Sequence, residues 1–372
     1  MKSVGIITMH RVKNCGSLLQ AYALQRKIVD YGYLCEIIDY KYPNKNHLEF
    51  LNQNQTNKKN IKYFIGKILF FFILFGQKRK MELFLKNQLN LSKHSYKSNS
   101  ELKSAPPIYD MYCAGSDQIW NPRFNCNDDI FYMSFVPEKK KIFSYASSCA
   151  LKNVEEDKNI SFLKRFSKIS VREQSSQIAL EKKLVQEVSL VCDPTLLLTK
   201  NEWNLLCKKN TIRIKRPYIL FYILTYSYNP YPELDDLVSF LIKTTGLYPV
   251  FLYGSLTKSL KYKAKNIYNA GPLEFLQLIR DAELVVTSSF HGTCFSILQQ
   301  KQFYSLVKSK SDIGDERLIS LLSQLGLTDR ALEKVNKFEI LNMDKIDYCE
   351  SDKELNKLRA TSIKYLKNAL ND

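Results

Sequence analysis

Leu284-Val285-Val286-Thr287-Ser288-Ser289-Phe290-His291-Gly292-Thr293-Cys294-Phe295-Ser296-Ile297 is an apolar run that breaks into hydroxyls, one histidine and one glycine, then resumes helical spacing. It reads as strand, polar turn, helix. In open α/β sheets ligands bind outside the carboxyl ends of strands, and the backbone N–H groups of a following helix start attract anions. Only four histidines occur, His10, His47, His94 and His291. The one at this turn is therefore the first candidate for proton transfer or phosphate contact.

The same alternation extends through the chain. Val4–Thr8 reads as a buried strand, Leu18–Asp30 as a helix and Leu34–Tyr40 as a second strand, the strand-helix-strand start of a parallel sheet. Further strands are expected at Met111–Gly115, Ile142–Ser148 and Ile169–Val171, each ending in small polar or charged residues. Pro194 and the polar stretch from Lys208 close this half. A second series follows, with strands at Tyr218–Tyr222, Pro249–Tyr253, Ile267–Tyr268 and Leu284–Val286, and helices at Glu233–Thr245, Leu273–Arg280 and Thr293–Gln300. The expected fold is α/β with two Rossmann-like domains, over 1–200 and 201–345. A C-terminal helix within 346–372 is expected to pack back across the junction.

At 372 residues the chain accommodates two domains of ordinary size, and 45% hydrophobic residues suffice for globular cores. The 55 Lys+Arg against 37 Asp+Glu give +18, which favours an anionic partner such as a phosphorylated metabolite, an acidic membrane surface or nucleic acid. No RNA-binding signature, zinc-finger spacing or basic heptad region accompanies the charge, so nucleic acid is set aside. Nine scattered cysteines without a C-x-x-C pair read as reduced core thiols. Met1–Thr8 enters a strand at once and shows no leader pattern, which gives a cytoplasmic expectation.

Residues 58–80 depart from the alternation: Tyr63–Phe75 is apolar and aromatic, contains Lys67 and is flanked by Lys58, Lys59, Lys62, Lys78, Arg79 and Lys80. A bilayer-crossing helix needs about 20 apolar residues, more than this stretch supplies. Two readings stand: a helix lying on an anionic membrane surface, or a buried helix linking sheet elements.

Six segments occur in order: Asn14–Leu24, Gly115-Ser116-Asp117-Gln118-Ile119-Trp120-Asn121-Pro122, Ser170-Val171-Arg172-Glu173, Cys192-Asp193-Pro194-Thr195-Leu196-Leu197, Thr287–Gly292 and Asp315-Glu316-Arg317. This order resembles the polysaccharide pyruvyl transferase family from about Gly5 to about Arg330. The resemblance implies a two-domain fold like that of the GT-B glycosyltransferases, its domains facing a cleft. It also implies transfer of the pyruvyl unit of phosphoenolpyruvate onto two sugar hydroxyls as a cyclic ketal, in bacterial surface polysaccharide synthesis on a lipid-linked glycan. Phosphoenolpyruvate is then a co-substrate, and neither cofactor nor metal is called for.

That chemistry needs an acid for C3 of the enol, cations for phosphate and carboxylate, and a base for each attacking hydroxyl. His291 and Asp117 are the candidate catalytic groups. Arg172, whose planar fork suits a carboxylate or phosphate, joins Ser289, Gly292, Thr293 and Arg317 as candidates for the donor. Asn14, Gly16, Ser17, Ser116, Gln118 and Trp120 are candidates for the acceptor. Capping explains Ser17 as readily as ligand binding does, turn capping explains Asp117, and packing explains Trp120. Characterised members often carry Arg-x-His-Gly at the histidine turn, whereas Ser289 holds the arginine position here; Arg317, Arg11, Lys13 and Arg330 are the cations considered in its place. Two other classes remain open: glycosyl transfer from a nucleotide-sugar, and a non-catalytic anion- or glycan-binding protein.

Overall fold

The computed structural model describes residues 1–42, 61–149, 158–208, 211–225, 229–254, 256–309 and 315–371; for 61–74 and 256–258 only the backbone is described. The chain divides into two compact units. Unit 1 comprises Met1–Gln55, Glu82–Leu198 and Leu355–Asp372, and unit 2 comprises Thr56–Met81 and Thr199–Glu354.

Unit 1 is built on β1 (Ser3–Ile7), β2 (Leu34–Tyr40), β3 (Leu91–Tyr96), β4 (Met111–Ala114) and β5 (Lys141–Ser144), in the order β3-β2-β1-β4-β5. Every pairing is parallel. A two-stranded parallel sheet of β6 (Ile169–Val171) and β7 (Val188–Leu190) continues this edge through the bridges Phe143↔Lys168 and Ser147↔Val171. Parallel strands covered on both faces need continuous apolar runs, and all four residues of β4 are indeed buried. A buried aromatic group of Trp120, Phe131, Tyr132 and Phe166 forms much of the core. The helix Tyr348–Asn371 packs here from Leu355 onward. Cys192 N–H donates to Ser362 Oγ (2.8 Å), Arg359 Nε to Leu196 O (2.7 Å) and Tyr365 OH to Ser144 O (2.8 Å).

Unit 2 holds β8 (Tyr218–Tyr222), β9 (Tyr248–Leu252), β10 (Lys265–Ile267), β11 (Leu284–Thr287), β12 (Gln302–Leu306) and β13 (Ala331–Leu332), ordered β10-β9-β8-β11-β12-β13. All pairs are parallel. The first half of the histidine stretch is thus an interior strand, which explains its unbroken apolar run. The helix Pro272–Asp281 starts as its sequence dictates, with proline at the first position and Glu274 Oε2 accepting from Gly271 N–H (2.9 Å).

Several expectations are revised. The helix after β11 is Phe290–Leu298, three residues earlier than the spacing suggested, so His291 lies inside its first turn. The helix Ile61–Gln88 groups with unit 2 as far as Met81, not with the N-terminal half, and Lys80 Nζ pairs with Glu274 Oε1 (2.8 Å). Residues 58–60 and the side chains through Leu74 lie outside the described residues, so the choice between a membrane-surface and a buried helix falls there. Among the described residues no helix is long and apolar enough to cross a membrane. The cysteines are all unbridged; seven are buried as core thiols, whereas Cys126 and Cys349 are exposed.

Candidate active site

In unit 2 the turn after β11 is fixed almost wholly by hydroxyls. Thr287 Oγ1 donates to Tyr222 O (2.7 Å) and accepts from Ser289 N–H (3.0 Å). Ser288 Oγ accepts from Leu224 N–H (2.8 Å), tying the turn to the end of β8. Ser289, extended at φ −95° and ψ 129°, is the N-cap of Phe290–Leu298, and its Oγ accepts from Gly292 N–H (3.2 Å). No side chain fits at Gly292: a Cβ there would stand 2.5 Å from Thr287 Oγ1 and 3.1 Å from Tyr222 Cδ1.

This geometry redistributes the expected donor contacts. Gly292 and Thr293 were expected to offer N–H groups to phosphate, but Gly292 N–H goes to Ser289 Oγ and Thr293 N–H to Ser289 O (2.9 Å). The Thr293 side chain is buried against Ser305 Oγ (2.7 Å). Ser289 is therefore the cap that aims the helix start. His291 lies in that first turn, largely buried, with its ring edge-on to Phe290 (centroids 5.3 Å, 76°). The half-buried Arg317 sets its guanidinium over the Phe290 ring, 5.7 Å from the centroid. A cation thus stands beside the histidine turn even though Ser289 carries none. Arg330 instead donates to Asp344 O and pairs with Asp329 (3.0 Å).

In unit 1 the carboxyl ends of β4, β6 and β7 bring together Ser116, Asp117, Arg172 and Asp193. Arg172 has only 1% of its side chain exposed. Its Nη1 donates to Asp193 Oδ2 (2.6 Å) and Nη2 to Asp117 Oδ1 (3.4 Å), while Glu173 Oε2 lies 4.0 Å from Nε. The fork expected for a donor anion is thus directed at the protein's own carboxylates. Burial would depress the guanidinium's pKa, but the charges of Asp193 and Asp117 outweigh it and raise it. Asp193 is further held by Ser116 Oγ (3.1 Å), Thr195 N–H (3.0 Å) and Thr195 Oγ1 (2.7 Å).

Asp117 adopts φ 80°, in the left-handed region that a non-glycine residue enters only when its surroundings impose it. They do so here. Asp117 O accepts from Ser148 N–H (3.0 Å), Oδ1 accepts from Gln118 N–H (2.9 Å), and Oδ2 accepts a short bond from Ser17 Oγ. The N-cap of Cys15–Asp30 is Asn14, whose Oδ1 accepts from Gly16 N–H (2.8 Å). Ser17 is thereby released from capping and turned toward Asp117. Trp120 is no sugar platform: it is fully buried, donates Nε1–H to Phe131 O (3.0 Å) and stacks on Tyr132.

One constellation had gone unnoticed in the sequence. His10, fully buried just after β1, places Nε2 3.1 Å from Asp39 Oδ1 and Nδ1 3.1 Å from Thr8 O. Arg11 grips the same carboxylate through Nε and Nη2, both at 2.7 Å, and reaches Glu82 through Nη1. Burial opposes ionisation of Asp39, yet the bonds from His10 and Arg11 prevail and hold it well below the usual carboxylate range. The available signal was positional: His10 follows the first strand and Asp39 lies near the end of the second, on one sheet edge. Among the described residues no cluster of three or more His, Cys, Asp or Glu is arranged to hold a metal.

The architecture is α/β, two-domain and GT-B-like, as in three solved structures that this chain resembles. These are the UDP-GlcNAc 2-epimerase of Methanocaldococcus jannaschii (13% identity, TM-score 0.53, 96% of this chain and 99% of that one), the putative enzyme of Listeria monocytogenes (9%, 0.54, 96% and 90%), and the Neisseria meningitidis enzyme bound to UDP-GlcNAc (9%, 0.53, 100% and 99%). At such identity the likeness is one of fold. No curated protein matches the chain. The polysaccharide pyruvyl transferase family model matches residues 14–308, most of the chain, and the protein belongs to that family.

Proposed function

We propose that the protein transfers the pyruvyl unit of phosphoenolpyruvate to two hydroxyls of a sugar on a lipid-linked glycan, at the cytoplasmic face of a membrane. The observation that carries this reading is the family match spanning both the Asp117 segment and the His291 turn. His291 protonates C3 of the enol, leaving C2 electron-poor. One sugar hydroxyl bonds to C2 and gives up its proton to a base; the C2–O bond to phosphate then breaks, and inorganic phosphate leaves with a proton. The second hydroxyl closes the ketal and loses its proton. Arg317 meets the donor's negative charge beside the Ser289-capped helix start, a favourable position for an anion. In unit 1, Ser17 bonded to Asp117 orients an acceptor hydroxyl, with Arg172 and Asp193 as the buried frame that fixes Asp117.

Incubation with phosphoenolpyruvate and an extract of lipid-linked glycans should release phosphate and increase product mass by one pyruvyl ketal. Consumption of UDP-sugar in place of phosphoenolpyruvate would turn the reading to glycosyl transfer. Ligand binding with no turnover of either donor would turn it to a binding protein.

A further inference from the structure

The carboxyl ends of the strands in unit 1 carry the Asp117–Arg172 cluster; the amino ends form the opposite edge and have a different character. There Lys139, Lys140, Lys141, Arg165 and Lys168 line a groove of about 490 Å³ together with Ile142 and Ser167. Lys141 opens β5 with its ammonium nitrogen buried, and Lys168 immediately precedes β6, so strand pairing sets this groove in place and leaves Lys139, Lys140 and Lys168 as its outward cations. Arg165 is braced by donation from Nη2 to Val136 O (2.6 Å). Glu138 and Asp110 neighbour the groove but do not line it.

The same edge exposes aliphatic side chains. Leu34 opens β2 and is 57% exposed, Ile108 lies three residues before β4 and is 85% exposed, and Val185 lies three residues before β7 and is 92% exposed. Val185 is the left-handed cap (φ 54°) that ends the helix Gln174–Leu184, its N–H donating to Glu181 O (3.0 Å), and its side chain stands outside that helix. Gln186 Nε2 donates to Phe166 O (2.9 Å) and keeps this loop beside the cations.

We propose that this edge docks unit 1 on an anionic phospholipid bilayer, with the aliphatic side chains entering the headgroup region and the groove's cations meeting lipid phosphates. Interfacial binding combines buried apolar area with attraction of Lys and Arg to anionic lipid, and both ingredients lie on one edge. A surface for single-stranded nucleic acid would instead pair cations with aromatic stacking platforms, whereas Leu34, Ile108 and Val185 offer nothing to a base.

The test is cosedimentation of the full chain with phosphatidylcholine vesicles, with and without phosphatidylserine. Two double variants accompany it: Lys139→Glu with Lys140→Glu, and Ile108→Ser with Val185→Gly, where glycine accepts the left-handed backbone and preserves the fold. The parent should sediment with phosphatidylserine vesicles and scarcely with phosphatidylcholine alone. The charge variant should bind about tenfold more weakly, and the aliphatic variant should weaken at unchanged charge. Equal sedimentation of parent and both variants overturns the proposal. Loss with the charge variant alone, matched by equal loss of binding to single-stranded RNA, overturns it in favour of a soluble polyanion.

Discussion

Replacing Arg172 by methionine strands Asp117 and Asp193 without their shared cation. In the native structure that cation is 1% exposed and stands 2.6 Å from Asp193 and 3.4 Å from Asp117, with Glu173 Oε2 at 4.0 Å. Water cannot screen the carboxylates left behind, and breaking a buried pair by removing one partner costs about 4 kcal/mol. For a unit of this size each kcal/mol shifts the midpoint by about 2–4 °C, so the first thermal transition should fall by about 8–16 °C near neutral pH. The loss should be pH-dependent. In the variant the stranded carboxylates favour their protonated form, so their folded pKa is raised and the folded state holds protons that the unfolded state releases. The variant therefore regains stability on acidification while the parent does not, and the gap should narrow between about pH 7.5 and about pH 5. Differential scanning calorimetry at both pH values is the assay. A shift below about 2 °C, or a gap that widens in acid, would refute the view of Arg172 as the buried counter-ion of this cluster.

Three further outcomes follow from the geometry. Gly292→Ala sets a Cβ 2.5 Å from Thr287 Oγ1, which is fixed by bonds to Tyr222 O and Ser289 N–H; urea titration should show about 2 kcal/mol of destabilisation, and unchanged stability would mean the turn is looser than described. Ser289→Ala removes the N-cap and should cost about 1 kcal/mol, with Ser289→Asp restoring it if capping is the role. Asp39→Asn should destabilise the protein at neutral pH by about 3 kcal/mol. Because the folded pKa of Asp39 lies below its ordinary value, its contribution is complete above about pH 4 and disappears as pH falls through the folded value. Melting curves of parent and variant should thus stay apart from neutral pH to about pH 4 and converge below it; convergence already near neutral pH contradicts the assignment.

How much was legible in the sequence depended on which physical signal each element carries. Interior parallel strands such as Leu284–Thr287 and Tyr218–Tyr222 announce themselves as apolar runs. By contrast Leu91–Tyr96, with Ser, Lys and His at an edge, and the three-residue Val188–Leu190 lack that signal and were missed. The start of the helix carrying His291 was misplaced because its first turn, Phe290-His291-Gly292, contains a glycine and reads as loop; the cap at Ser289 was the stronger cue. Strand ends do bring Ser116, Asp117, Arg172 and Asp193 together in unit 1, but charge alone could not say where each guanidinium points. Arg172 turns inward because three carboxylates, far apart in sequence or adjacent to it, are folded around it, whereas Arg317 lies against Phe290 beside the histidine turn.

The central claim, pyruvyl transfer with His291 as the proton donor, is tested most directly by acceptor-dependent release of phosphate from phosphoenolpyruvate in parent and His291→Gln protein, with donor binding measured calorimetrically on the same samples. The account predicts that turnover falls by about a hundredfold while phosphoenolpyruvate still binds with nearly parental affinity. Parental turnover in the variant, or phosphate release that does not depend on a glycan acceptor, would contradict it.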